Sequence, residues 1–305
     1  MTESDVKSNA PADAMRRPEP ATLPHPIDEW ELVEPVGEGS LTRVYRARPA
    51  GAGREQPAAY AVKMLRAEWQ REPRAIELLC REAFVGHRVS HSHLVAVLAA
   101  HVHRPPYFVV MPWLTGQTLA KRLSGNRLLD PPIALWVTRQ VAEALGAVHT
   151  SGWMHGDVKP SNIFVAPDGH VTLLDLGFAR RRDEVAWAAD RYVTGTCNYI
   201  APEMITSRLR PDIRSDVYSL GVVLFEMLAG RLPFAGNDLG EIATQHKEAR
   251  PPDLRRLAPH LPTDVTRLVR EMLAKDPLRR PQTPAELVAH LLRLEIASFA
   301  ERLLE

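Results

Sequence analysis

Four polar side chains in the middle of the sequence, Asp157, Lys159, Asn162 and Asp175, are of the types and at the spacing that moving a phosphoryl group requires. That reaction needs a carboxylate beside the attacking hydroxyl, a cation for the migrating charge, and hard oxygen ligands for magnesium. In the run His155-Gly-Asp-Val-Lys-Pro-Ser-Asn162 the Asp, Lys and Asn fall at offsets zero, two and five, and Asp175-Leu-Gly177 brings a second acid eighteen residues after Asp157. A chance string of loop polars is the competing reading, and this ordered set is a poor match to it.

Upstream, Val36-Gly-Glu-Gly-Ser-Leu-Thr-Arg-Val44 lies between two apolar runs, and Gly37, Glu38, Gly39 and Ser40 form a turn whose backbone N–H groups can approach phosphates. Taken alone it is equally well a plain hairpin turn, since Thr42 stands where a third glycine is usual. Lys63 follows Val44 by nineteen residues on an apolar run, and Glu82 follows Lys63 by another nineteen inside a helical pattern. A strand lysine and a helix glutamate can pair and leave the ammonium aimed at the α- and β-phosphates.

Positioning these groups takes two kinds of framework. From Trp30 to about Val110, short β-branched runs at Glu31–Val36, Arg43–Ala47, Ala59–Leu65 and Tyr107–Met111 predict a small sheet, interrupted by one helix from Pro73 to about Arg88. Beyond Gly116 helices dominate. Asp130 is placed to cap a helix opening at Pro131, with Ile133, Val137, Val141, Leu145 and Val148 along one face. Val217–Ala229 reads as a buried core helix, because Ser219, Gly221 and Glu226 break it as a membrane span. The fold class is therefore α+β, in two lobes.

In this order the motifs resemble the eukaryotic-type protein kinase family, in its serine/threonine branch, and the resemblance covers about Trp30 to Leu294. Thr194-Gly-Thr-Cys-Asn-Tyr-Ile-Ala-Pro-Glu203 is similar to the family's substrate-docking segment, Ser215–Gly221 to the start of its central helix, and Asp276–Pro281 to its late arginine motif. The resemblance implies a bilobal kinase fold, with ATP and magnesium as cofactors (two ions, manganese as a substitute) and protein Ser/Thr hydroxyls as acceptors. It implies Asp157 for the acceptor proton, Lys159 for the transferring phosphoryl, and Asn162 with Asp175 for the metal. Thr196 together with Lys159 would favour serine or threonine over tyrosine. Met111 would be the gatekeeper and Leu114 the backbone contact to adenine, while Pro112 uses only its carbonyl. Val36, Val44, Ala61 and Phe164 would enclose the ring, and Glu203 with Arg280 would anchor the docking segment.

Several residues depart from the family pattern. Gly156 stands where regulated members carry an arginine that receives an activation-segment phosphate, which implies activity without strong dependence on that modification. The alternative receivers are Arg180 to Arg182, and Thr194 is the test position. Leu176 replaces a phenylalanine and is expected to pack against His155. Gly86, where a larger apolar residue is usual, implies a more loosely held helix. Ser161 in place of a glutamate gives no support for arginine-directed substrates. High Ala, Arg and Pro content resembles a bacterial member more than an animal one. Autophosphorylation is expected, and an ATP-binding scaffold without transfer or a small-molecule phosphotransferase are the competing functions.

The bulk composition agrees and excludes some alternatives. Thirty-eight basic residues against 37 acidic ones give a net charge of +1 over 305 residues, which offers no field for nucleic acid. Cys80 and Cys197 are the only cysteines and lie far apart, so neither disulfides nor a zinc site is implied. His87, His91, His93, His101 and His103 cluster in sequence but lack companion metal ligands, and read as loop and strand-end residues. No membrane insertion is expected, and a cytoplasmic setting fits. The expected organisation is a disordered tail over 1–28, a kinase domain over 29–297 with lobes 29–113 and 114–297, and the end of the last helix or a short tail over 298–305. Oligomeric state is not encoded in any motif.

Overall fold

A five-stranded antiparallel sheet builds the first lobe: β1 (Trp30–Glu38), β2 (Thr42–Pro49), β3 (Tyr60–Leu65), β4 (Ala99–His101) and β5 (Phe108–Pro112), in the spatial order β1-β2-β3-β5-β4. The structure is a computed structural model and describes residues 27–53, 55–181, 184, 197–205 and 211–302. Side-chain alternation along β3 sorts the lobe into two faces. Val62 and Met64 join Leu32, Tyr45, Ala47, Phe108 and Val110 in one cluster, whereas Ala61, Lys63 and Leu65 face the opposite way. Ile27 bridges Trp30 and packs on the first cluster, and residues 1–26 of the expected tail lie outside the described residues.

Helix α1 (Pro73–Gly86) covers the Lys63 face of the sheet. Pro73 starts it without needing an N–H, and the Glu72 carboxylate accepts from the Arg74 N–H at 3.5 Å. Leu79 and Ala83 pack against Leu65, Val97 and Val109. The looser helix expected from Gly86 is not what forms. A Cβ at that position would lie 2.5 Å from Val97 Cγ2 and 3.6 Å from Leu176 Cδ1, so the missing side chain is what lets α1 seat this closely.

The second lobe is mainly helical: α2 (Leu119–Leu123), α3 (Pro131–Thr150), α4 (Pro202–Ile205), α5 (Ile213–Ala229), α6 (Leu239–Glu248), α7 (Leu254–Leu257), α8 (Thr263–Met272) and α9 (Pro284–Arg302). One large core holds them together, with α5 buried along almost its whole length and Gly221 lying directly against Met272 of α8. On α3 the predicted stripe Val137, Val141, Leu145 and Val148 is buried, but Ile133 in the first turn is 44% exposed. Asp130 occupies the cap position without a side-chain capping bond, and Pro132, at the second helical position, has no N–H to offer it.

Short strands finish the lobe at the interface. β6 (Gln117–Thr118), β8 (Ile163–Val165) and β9 (Val171–Leu173) form one small sheet, and β7 (Trp153–Met154) pairs with β10 (Arg180–Arg181) in another. The His93 and His170 rings lie 4.6 Å apart, tilted to one another, and His93 Nδ1–H and His170 Nε2–H donate to the carbonyls of Val171 and Ser92, tying the loop after α1 to the β8–β9 hairpin. Among the described residues no helix is long and apolar enough to cross a membrane.

Candidate active site

The loop between β7 and β8 is fixed first by its backbone. Asp216, buried in the first turn of α5, accepts the N–H groups of His155 and Gly156, each at 2.7 Å. Gly156 has φ +78°, a conformation that costs a side-chain-bearing residue about 1–2 kcal/mol, so glycine suits this position for a backbone reason. The His155 ring then reaches both catalytic segments: Nδ1 accepts from the Asp157 N–H at 3.2 Å, and Nε2–H donates to the Leu174 carbonyl at 3.0 Å. A backbone bond from Leu174 N–H to Asn162 O at 2.8 Å closes the same frame.

On that frame the predicted polar set converges. Asn162 Nδ2 donates to Asp157 Oδ2 and to the Asp157 carbonyl, both at 2.9 Å, and Lys159 Nζ lies 2.8 Å from the same Oδ2. Asp157 is only 4% exposed, so its orientation is set by these partners and not by solvent. Across the cleft, Lys63 Nζ donates to Glu82 Oε2 at 2.7 Å and lies 3.1 Å from Asp175 Oδ2. Asp175 has φ +65°, and its Oδ1 accepts from Gly177 N–H at 3.2 Å, which holds a strained backbone in place.

Sharing one ammonium between two carboxylates separates their ionisation. Burial works against the charge on Lys63, but Asp175 and Glu82 outweigh it and hold its pKa above the ordinary lysine value. Burial likewise raises Asp175, yet Lys63 reverses this with help from Lys159, and the group ends below the usual aspartate value. Glu82 takes the opposite course: burial pushes it up to about 7 against the pull of Lys63. Its Oε1 is buried and has no hydrogen-bond partner among the described residues, so this is the oxygen that bears the cost.

These groups face one cleft of about 730 Å³ between the lobes, within the range that takes a nucleotide-sized ligand. Val36, Gly37, Glu38, Gly39, Ser40 and Val44 form its roof, and Ala61, Met111, Pro112, Leu114 and Phe164 line its apolar end. A Cβ at Gly37 would meet nothing within 4 Å, so the roof is open at that point. Glu38 is held at the roof by Arg43 at 3.0 Å and Arg66 at 3.3 Å. Trp113 N–H donates to Ala59 O at 2.9 Å and Pro112 has no N–H, and Trp113 and Leu114 continue past β5 along the cleft wall. Thr196, like Tyr192 and Thr194, lies outside the described residues. All the other predicted site residues line the cleft or face it.

A model of the protein kinase domain matches residues 30–292. The chain belongs to the protein kinase family. Among its curated relatives, serine/threonine-protein kinase PrkC of Bacillus subtilis is 30% identical over 262 residues, covering 86% of this chain and 40% of that protein. Serine/threonine-protein kinases PknB of Mycobacterium leprae and of Mycolicibacterium smegmatis are 34% and 35% identical over 280 residues, covering 90% of this chain and 44% of each. The chain thus spans about two fifths of the length of these bacterial relatives.

Kinase domains use ATP with a divalent metal, and the donor set here suits both. Among the described residues no three His, Cys, Asp or Glu side chains converge as a metal cage. A magnesium ion that arrived with phosphates would need only one or two protein oxygens, and Asn162 and Asp175 are the side chains on the cleft that could offer them.

Two parts of this kinase domain escaped sequence reasoning or exceeded it. Asp216 organises the catalytic loop, whereas in sequence it figures only as part of the Ser215–Gly221 run at the start of a helix, with no role of its own. Glu203 and Arg280 pair as expected, with Nη1 to Oε1 at 2.6 Å and Nη2 to Oε2 at 2.9 Å, both side chains fully buried. Leu176 is buried in the main core and lies beside Gly86. Of the suggested phosphate receivers, Arg180 is buried and Arg181 lies over the Trp153 ring at 5.5 Å, while Arg182 is outside the described residues.

Proposed function

We propose that this chain is a serine/threonine protein kinase that transfers the γ-phosphoryl of ATP to hydroxyls of protein substrates, itself included. The observation that carries the reading is the convergence of Lys63, Glu82 and Asp175 with Asp157, Lys159 and Asn162 on one cleft. Asp157, held by Asn162 and Lys159, takes up or orients the acceptor proton. Lys159 sits 2.8 Å from that carboxylate, close enough to serve both the acceptor and the migrating phosphoryl. Lys63 grips the α- and β-phosphates while Glu82 fixes its position. Asn162 and Asp175 supply oxygens for two magnesium ions, or manganese in their place. Metal, when bound, neutralises charge on the phosphates.

The catalytic loop is read as not requiring a phosphorylated activation segment, because Gly156 presents no cation and Arg180 is buried. Wild type with Mg-ATP should label a generic protein substrate and itself, and Asp157→Asn should lose roughly 10²- to 10⁴-fold in rate while still binding nucleotide. Equal transfer by both would remove the role given to Asp157. Nucleotide binding with no transfer by the wild type would favour a scaffold.

A further inference from the structure

We propose that Glu184 does for this chain what an activation-segment phosphate would otherwise do: its carboxylate clasps Arg81 of α1 and holds that helix, and with it Glu82, against the cleft. The inference rests on the reading above that the chain works without a phosphorylated segment, and it names the group that makes this workable.

Arg81 and Glu184 are 103 residues apart in sequence, and their side chains meet at 2.9 Å, Nη1 to Oε2. The same Nη1 also donates to the Ala179 carbonyl at 3.1 Å, so the guanidinium reads both the backbone and the acid of the segment that follows Asp175. On the helix side, Glu77 one turn earlier accepts from Arg81 Nη2 at 3.0 Å and is itself bonded by Arg74, which aims the guanidinium outward. On the segment side, β10 pairs with β7 through Arg180 and Met154, and Glu184 N–H then donates to Arg181 O at 3.2 Å. That bond ties Glu184 to the end of β10.

Geometry explains why this pair matters to the chemistry. Arg81 and Glu82 are consecutive in a helix, so their side chains leave it about 100° apart. One faces the segment and the other faces Lys63. Pulling on Arg81 thus fixes the rotation of α1 that keeps Glu82 within 2.7 Å of Lys63. A phosphate would supply the same kind of anion to the same kind of guanidinium.

The test uses the full chain with Glu184→Gln, Glu184→Asp, Arg81→Glu, Glu184→Arg and the double swap Arg81→Glu/Glu184→Arg. Both side chains of the pair are partly exposed, at 19% and 33%, so the expected loss for Glu184→Gln is only about two- to fivefold in kcat/KM, mostly through a higher KM for ATP. Hydrogen–deuterium exchange should quicken in α1 for Glu184→Gln, stay close to wild type for Glu184→Asp, and recover in the double swap relative to either single reversal. A surface pair that does not hold the helix would leave α1 exchange and KM for ATP unchanged in the single variants. Wild-type exchange in α1 and wild-type KM for Glu184→Gln, or a double swap no better than its singles, would overturn the proposal. The exchange measurement stands apart from catalysis: Asp157→Asn should slow transfer by roughly 10²- to 10⁴-fold and leave α1 exchange unchanged, so failure of the clasp and failure of the kinase reading give different results.

Discussion

Replacing Arg280 with methionine should be among the most damaging single changes away from the cleft. The guanidinium is fully enclosed and makes five hydrogen bonds: two to the Glu203 carboxylate at 2.6 and 2.9 Å, and three to the carbonyls of Arg214, Lys275 and Ala274 at 2.8, 3.2 and 2.8 Å. It also lies over the Tyr218 ring at 4.8 Å. Methionine fills part of the volume but leaves the Glu203 charge buried with only the Ser215 hydroxyl, at 2.7 Å, as a partner. Breaking one side of a buried pair typically costs about 3–5 kcal/mol, because the surviving charge keeps its desolvation penalty. For a domain of this size that is a fall of roughly 6–15 °C in Tm. Urea unfolding followed by tryptophan fluorescence would measure the loss directly. Adding Glu203→Gln to Arg280→Met should restore part of the stability, since the stranded carboxylate is gone. Kinetically, Glu203 belongs to α4 at the end of the docking segment and Arg280 is also bonded to the start of α5, so KM for a protein substrate should rise more than KM for ATP. An Arg280→Met protein within about 1 kcal/mol of wild type, or a double variant as unstable as the sum of its singles, would refute the reasoning.

Other outcomes follow from the same coordinates. Gly86→Ala should push α1 off Val97, with an overpacking cost of about 1–3 kcal/mol and a higher KM for ATP; unchanged stability and kinetics would show that the 2.5 Å approach relaxes freely. Glu82 binds a proton more tightly when folded, at about 7 against 4.5 unfolded, so the native state holds the extra proton across that window and stability should fall as pH rises through it. Glu82→Gln should lose this component, read as the difference between the two Tm–pH curves. His246 in both proteins, lowered to about 4 by burial with Lys275 adding to it, pulls the other way between about 4 and 6.5 and cancels in that difference. Parallel curves would mean that Glu82 is fully ionised by Lys63 throughout. Gly156→Arg should cost about 1–2 kcal/mol at φ +78°, whereas Gly156→Asn, which tolerates this conformation, should cost less; equal costs would remove the backbone argument.

What could be read from the sequence divides along a physical line. Asp157, Lys159, Asn162, Asp175, Lys63 and Glu82 were legible because phosphoryl transfer constrains residue type and offset together, and the structure brings all six to one cleft. The two-lobed arrangement was legible for a related reason, since the period-2 runs before Val110 and the period-3.6 runs after Gly116 require different partners. Features that depend on distance were not. Ile133 fits the apolar stripe of α3 yet points to solvent, because the first turn extends beyond the core it was expected to meet. Asp216 and Arg81 carry ordinary helix-surface signatures, and their partners lie 60 and 103 residues away. Gly86 and Gly156 make the point most sharply, since both depart from the family pattern and, read by type alone, implied a looser helix and a missing phosphate receiver. In space one is required by a neighbour 2.5 Å from the Cβ it lacks, and the other by a backbone at positive φ whose N–H is held by Asp216. A missing side chain in sequence is therefore ambiguous between slack and close fit, and both of these glycines belong to the tightly fitted class: one seats the helix bearing Glu82, the other turns the backbone that presents Asp157.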